Sequence, residues 1–155
     1  MKLHEADDAI NTLLKSAVDG FAPPSGWATP VVYWPGVTPG DPTPDQRDDN
    51  GDYGLWVEFG IRPNTGGIAC VGGSPGANKY RRGGVYVAMV NALASAPRSV
   101  ETCSMLCEAV IDGFDLAEGS VWFRNNRFME GAGDGFQSPW YRRVVTGEYL
   151  FDDSK

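Results

Sequence analysis

Apolar residues return every three or four positions along the first stretch of the chain: Leu3, Ala6, Ile10, Leu13, Leu14, Ala17, Val18 and Phe21. That period predicts an amphipathic helix over 3–21. Asp7 and Asp8 lie near its positive end, where acids are favoured. Gly20 and the Pro23-Pro24 pair stop it.

The period then shortens. Val31-Val32-Tyr33-Trp34, bounded by Pro30 and Pro35, reads as a short strand. Residues 35–53 follow as a long loop rich in Pro, Gly, Asp and Thr, and a loop of that length in a small domain is usually functional or disordered. Between Leu55 and Ile61 the alternation is strict. Leu55, Val57, Phe59 and Ile61 point one way and Trp56 and Glu58 the other, which predicts a strand with one buried face. Ile68–Val71 is a candidate extension beyond a turn at Asn64-Thr65-Gly66-Gly67, and a second glycine-rich connection runs from Gly72 to Gly84. Val85–Val90 is apolar on both faces, which suits a central strand; a helix start is the other reading, and the β-branched content favours strand.

A second helical stripe runs through Val100, Cys103, Leu106, Cys107, Val110, Ile111 and Phe114, with Ser99 as the N-cap and an end near Gly113. Val121-Trp122-Phe123-Arg124 reads as a strand, followed by a loop carrying Gly131, Gly133 and Gly135. Tyr141–Phe151, rich in Val, Thr, Tyr and Phe, reads as a long final strand. This order alternates too irregularly for a doubly wound parallel sheet. It predicts an α+β fold: a mainly antiparallel sheet of four to six strands, two helices packed on one face, and long loops. No internal repeat interrupts it, and 1–155 reads as a single domain.

Composition agrees with one packed core. Hydrophobic residues make up 42% and charged residues 21%, which excludes wholesale disorder, while 20 Gly and 11 Pro imply many turns. The formal net charge is −7, so free nucleic acid is a poor partner. Between Asp41 and Tyr53, Asp41, Asp45, Asp48, Asp49 and Asp52 face the single Arg47; five minus one places four of the seven net negative charges there. No apolar run approaches the roughly 20 residues of a membrane span. The opening Met1–Asp8 lacks the apolar core of a signal peptide, and Cys70, Cys103 and Cys107 form no disulfide framework, so the expected compartment is cytoplasm.

Candidate chemistry is sparse. His4 is the single histidine, which excludes a His-based triad or a multi-His metal site. Cys103 and Cys107 share a helix face and read as core thiols. Asp48-Asp49-Asn50-Gly51-Asp52 fails the calcium-loop spacing: Gly51 as position six puts Val57 where a Glu is required. Gly72–Lys79 fails the phosphate-loop spacing, because Asn78 precedes Lys79 and Tyr80 follows it. The expectation is a non-enzymatic protein without catalytic, cofactor-binding or metal-ligating residues. Tyr80-Arg81-Arg82 reads either as a solvated basic turn or as an interface anchor, since Tyr and Arg are favoured at interfaces. Trp27, Trp34 and Trp140 flank loops, as core lids or interface residues.

Taken in order, the opening helix Ala6–Phe21, Tyr80-Arg81-Arg82-Gly83-Gly84-Val85-Tyr86-Val87, the helix around Val100–Phe114, Val121-Trp122-Phe123, and Trp140–Val145 with the acidic end Asp152-Asp153 resemble the tail terminator, or tail completion, proteins of siphophages. The resemblance covers most of the chain; the acidic 35–53 insert is longer than that family leads one to expect. It implies a virion structural protein, assembled in host cytoplasm. Such a protein forms a homo-hexameric ring on the last ring of the major tail tube protein, stops its polymerisation and offers a surface to the neck or head-completion protein. DNA would pass through the lumen without specific binding. Trp34, Tyr80, Arg81, Arg82 and Trp140 are the expected interface residues, with the 35–53, 62–83 and 128–140 loops carrying contacts. A head–tail connector in the neck, a ligand-binding module using exposed Trp and Tyr, and, weakest, a small hydrolase using carboxylates in a loop-lined cleft are the alternatives.

Overall fold

The computed structural model describes residues 1–34, 45–64, 69–70, 79–130 and 138–154. The predicted loop positions 35–44, 71–78 and 131–137, and the turn positions 65–68, lie outside the described residues. The elements in chain order are α1 (Leu3–Asp19), β1 (Val31–Tyr33), β2 (Leu55–Pro63), β3 (Ala69–Cys70), β4 (Lys79–Leu93), α2 (Ser99–Asp115), β5 (Val121–Glu130) and β6 (Trp140–Ser154). The strands form one sheet in the order β1-β2-β4-β6-β5, with β3 also on β4. The fold is α+β, as the patterning predicts. All pairings are antiparallel except β1 on β2, which makes the sheet mixed.

Pro63 lies opposite Gly84 and Ala69 opposite Arg81, so β3 continues the line of β2 along β4. The β4–β6 ladder runs from Lys79↔Ser154 to Leu93↔Trp140 without a register shift. The connection predicted to end at Gly84 therefore ends at Lys79. Gly83 and Gly84 look like loop glycines but are packed inside the sheet. A Cβ on Gly83 would lie 2.3 Å from the Tyr149 carbonyl oxygen, and one on Gly84 2.3 Å from that of Arg62.

Both helices cover one face. Ala6, Ile10, Leu14 and Val18 of α1 and Cys103, Leu106, Cys107, Val110 and Phe114 of α2 are buried with Val57, Phe59, Tyr86, Ala88, Val90, Val145, Tyr149 and Phe151 of the sheet. Phe114 stacks on Tyr86 at 4.2 Å between ring centroids. The Lys2 N–H donates to Glu5 Oε2 at 2.7 Å, closing the start of α1. Ser99 is not the N-cap of α2. That place belongs to Arg98, in a left-handed conformation with φ 61, while the Ser99 hydroxyl donates to the Ala94 carbonyl. α2 ends at Asp115, two residues beyond Gly113, near the expected end. The helix runs through Gly113 because the missing side chain lets α1 approach: a Cβ there would lie 2.7 Å from the Ala17 Cβ.

Candidate interaction surface

Strand alternation divides the sheet into a helix-covered face and an outer face that neither helix covers; only its end at Trp56, Asn91, Leu93 and Trp140 is buried, beside the segment through Gly54. On the outer face the register forms rows. Glu58, Met89, Val144 and Met129 make one; Gly60, Val87, Thr146 and Arg127 the next; Arg62, Val85, Glu148 and Arg124 the third; Gly83, Leu150 and Trp122 the fourth. The centre is thus Val and Met and the margins are charged. Val85, Trp122 and Met129 are exposed at 38%, 45% and 48%. The apolar character of Val85–Val90 on both faces suggested a strand buried on both sides. β4 is central, but only Tyr86, Ala88 and Val90 are covered, because both helices lie on their side.

The charges at the margin are organised. Arg81 Nε donates to Asp152 Oδ1 at 3.0 Å, and its guanidinium lies 5.3 Å from the Trp122 ring centroid. The Asp152 hydrogen bond holds the Arg81 guanidinium above its ordinary pKa. Arg124 Nε donates to Glu148 Oε2 at 2.7 Å and Asn125 Nδ2 to Glu148 Oε1 at 3.1 Å. The bonds from Asn125 and Arg124 hold the Glu148 carboxyl below the usual carboxylate range. Asn125 is left-handed, with φ 57, at a bulge between Arg124 and Arg127. Such a bulge interrupts an edge strand against open-ended pairing.

The predicted interface residues do not form one cluster. Tyr80, Arg81 and Arg82 gather with Asp152 and Asp153 at one end of the β4–β6 ladder. Arg82 Nη2 lies 3.1 Å from Asp153 Oδ2 on the helix-covered side, with Asp153 buried. Trp140 is at the far end of the same ladder, buried edge-on against Trp56 at 5.9 Å. Trp34 is half-buried edge-on against Phe59 at 5.9 Å, and Trp27 is buried against Tyr53. Of the assigned loops, 62–63, 69–70, 79–83 and 128–130 are strand, as is 140. Trp122, Arg127, Val85 and Met129 were missed by sequence reasoning. The signal was present in the two-sided apolarity of Val85–Val90 with only two helices to cover a sheet.

Among the described residues no group of three or more His, Cys, Asp and Glu side chains is arranged to hold a metal ion. Cys103 and Cys107 are buried free thiols; the hydrogen bond with Cys103, together with burial, pushes the Cys107 thiol well up. His4 is exposed. Asp48 is engaged by its own turn, its Oδ1 accepting from the Asn50 and Asp52 N–H groups at 2.9 Å each. No described helix is long and apolar enough to cross a membrane.

A scan against protein-family models finds no match, and a search of curated protein sequences finds none either.

Proposed function

We propose that this chain is a ring-forming structural protein of a phage virion, a tail terminator that caps the tail tube, stops its polymerisation and presents a surface for joining to the neck. The observation that carries the reading is the outer face of the sheet, an apolar Val and Met centre with charged margins, left open by both helices. Exposed apolar patches rimmed by polar groups mark protein contacts. A sheet whose two edges differ favours head-to-tail association, which closes into a ring when the rotation permits. The reading also rests on the resemblance carried by Tyr80–Val87 and Trp140–Val145. Its partners are further copies of itself in a hexamer, the major tail tube protein and a neck protein. DNA traverses the lumen, and the net charge of −7 disfavours phosphate adhesion there.

Light scattering with and without purified tail tubes tests this. A ring-sized mass, or a monomer that becomes a ring on tube ends, is the expected result. A monomer that ignores tubes but binds portal complexes would move the protein to the neck, as a head–tail connector. A monomer indifferent to both would overturn the structural-protein reading.

A further inference from the structure

Two features stand at opposite edges of the outer face. At the β1 edge, the turn around Asp48 and strands β1 and β2 enclose a cleft of about 420 Å3, lined among others by Tyr33, Trp56, Asp45 and Asp49. Tyr33 and Trp56 meet edge-to-face at 5.4 Å. Trp56 is buried, and its indole N–H has no hydrogen-bond partner among the described residues. Arg47 also lines the cleft, but it lies over Tyr53 at 4.3 Å, donates to the Gly51 carbonyl and forms no ion pair among the described residues. Asp45 and Asp49 are exposed and make no ion pair among the described residues. The cleft therefore combines two aromatic rings with Asp45, Asp48 and Asp49 against the single cation Arg47, a net negative setting for a further planar cation.

At the β5 edge stands Arg127, exposed and without an ion pair among the described residues, in the same outer-face set as Trp122 and Met129. Its neighbour Arg124 is already taken by Glu148. The two edges are separated by four strand spacings, roughly 19 Å at the usual inter-strand distance, so Arg127 cannot reach the cleft of its own chain.

We propose that the cleft at the β1 edge receives Arg127 from the β5 edge of a second copy of this chain. The inference rests on the ring reading above and names the contact that builds the ring. Each copy then gives one cation and accepts one, so the contact is head-to-tail and repeats without leaving an unmatched charge inside a closed ring. The guanidinium lies against Tyr33 and Trp56 and pairs with Asp45 and Asp49. β5 is an edge strand, so its outward carbonyls are free to approach the buried Trp56 N–H, a donor costly to leave unmet.

Charge exchange tests the pairing. Wild type, Asp49→Arg, Arg127→Glu and the double variant are compared by light scattering on tail tubes; both positions are exposed, so circular dichroism should match wild type. Each single variant should weaken ring formation at least tenfold, and the double variant should recover it, because the reversed charges again oppose. Asp45→Arg combined with Arg127→Glu repeats the exchange at the second carboxylate. Wild-type rings with single variants that assemble equally well, or a double variant that fails to recover, would overturn the pairing and leave the ring reading intact. Wild type that never forms a ring overturns the ring reading itself, and the pairing with it.

Discussion

The buried Tyr86 hydroxyl donates to Asn126 Oδ1 at 2.7 Å, joining the central strand to the edge strand across the space above Gly147. Asn126 Nδ2 in turn donates to Asp115 Oδ1 at 2.6 Å, so one carboxamide ties β4, β5 and the end of α2 together. The bulge at Asn125 is what turns Asn126 inward.

Asn126→Ala should cost about 1–3 kcal/mol, because it leaves a buried hydroxyl without an acceptor. Tyr86→Phe should cost less, since the half-exposed Asn126 can turn to water. Urea midpoints check the order, and the reverse order would count against the bond as an anchor. Gly147→Ala should be worse than either. Its Cβ would sit 2.1 Å from Asn126 Oδ1 and 2.6 Å from Tyr86 Cε1, with no room to give.

Gly113→Ala should destabilise the protein although alanine is the better helix former. The propensity gain is about 1 kcal/mol, against about 1–3 kcal/mol for overpacking in a tight core. The clash is with Ala17 Cβ at 2.7 Å, so Ala17→Gly added to Gly113→Ala should recover part of the loss. Thermal unfolding of the single and double variants decides it; equal melting temperatures would show that the helices separate without penalty.

How much of this was legible in the sequence follows from what each signal measures. Both helices were readable from Ile10, Leu14, Leu106 and Val110, because their period reports burial on one face. The alternation Leu55–Ile61 likewise gave β2. What failed was glycine. Gly83, Gly84 and Gly113 read as loop or terminator, yet each is where two backbones approach too closely for a Cβ. Local sequence cannot distinguish a glycine needed for a turn from one needed by a distant strand or helix. The parallel pairing of β1 was equally hidden, because strand direction depends on the connection between them. Of the interface residues, Arg81 lies on the outer side beside Trp122, whereas Trp140 is core. Tryptophan beside Pro and Gly fits either place.

The two neighbouring arginines should behave differently. Arg81 and Asp152 form a pair open to solvent, so Arg81→Ala should leave the urea midpoint close to wild type. Arg82 pairs with the buried Asp153, and Arg82→Ala strands that carboxylate, at a cost of about 1–3 kcal/mol. Assembly on tubes should show the opposite emphasis, with Arg81→Ala more damaging to ring formation than its stability predicts. Arg81→Ala that assembles normally would remove Arg81 from the interface.

Asp7 gives a pH prediction. One of its carboxylate oxygens is buried without a partner among the described residues, and burial, helped by Asp8, raises its pKa above the ordinary value. A raised acid binds its proton more tightly when folded, so stability falls as pH rises from the unfolded to the folded value and stays lower above it. Asp7→Asn should therefore raise the melting temperature at neutral pH, and the gain should shrink as pH falls from the raised folded value to the ordinary aspartate value and be gone below it. Burial and the Asp7 charge also push the Tyr149 hydroxyl up to about 12, so the same variant should let Tyr149 ionise at lower pH in an ultraviolet titration. A stability gain independent of pH would point to packing instead of charge.

The open face of the sheet makes the sharpest separation between folding and assembly. Val85 is 38% exposed, and Ala88, three residues on in the same strand, is fully buried on the other face. Val85→Glu places a carboxylate in water between Arg62 and Glu148, the flanking residues of its own row, and should shift the melting temperature by no more than a few degrees. Ala88→Glu forces the same carboxylate under α2 and should prevent folding. If the outer face is the assembly surface, Val85→Glu combined with Met129→Glu should give a folded chain by circular dichroism that no longer forms rings on tail tubes, since the apolar centre has become acidic. The same double variant assembling normally would show that the face is merely solvated. The sheet edges, with Arg127 and the Tyr33–Trp56 cleft, would then have to carry the contact alone.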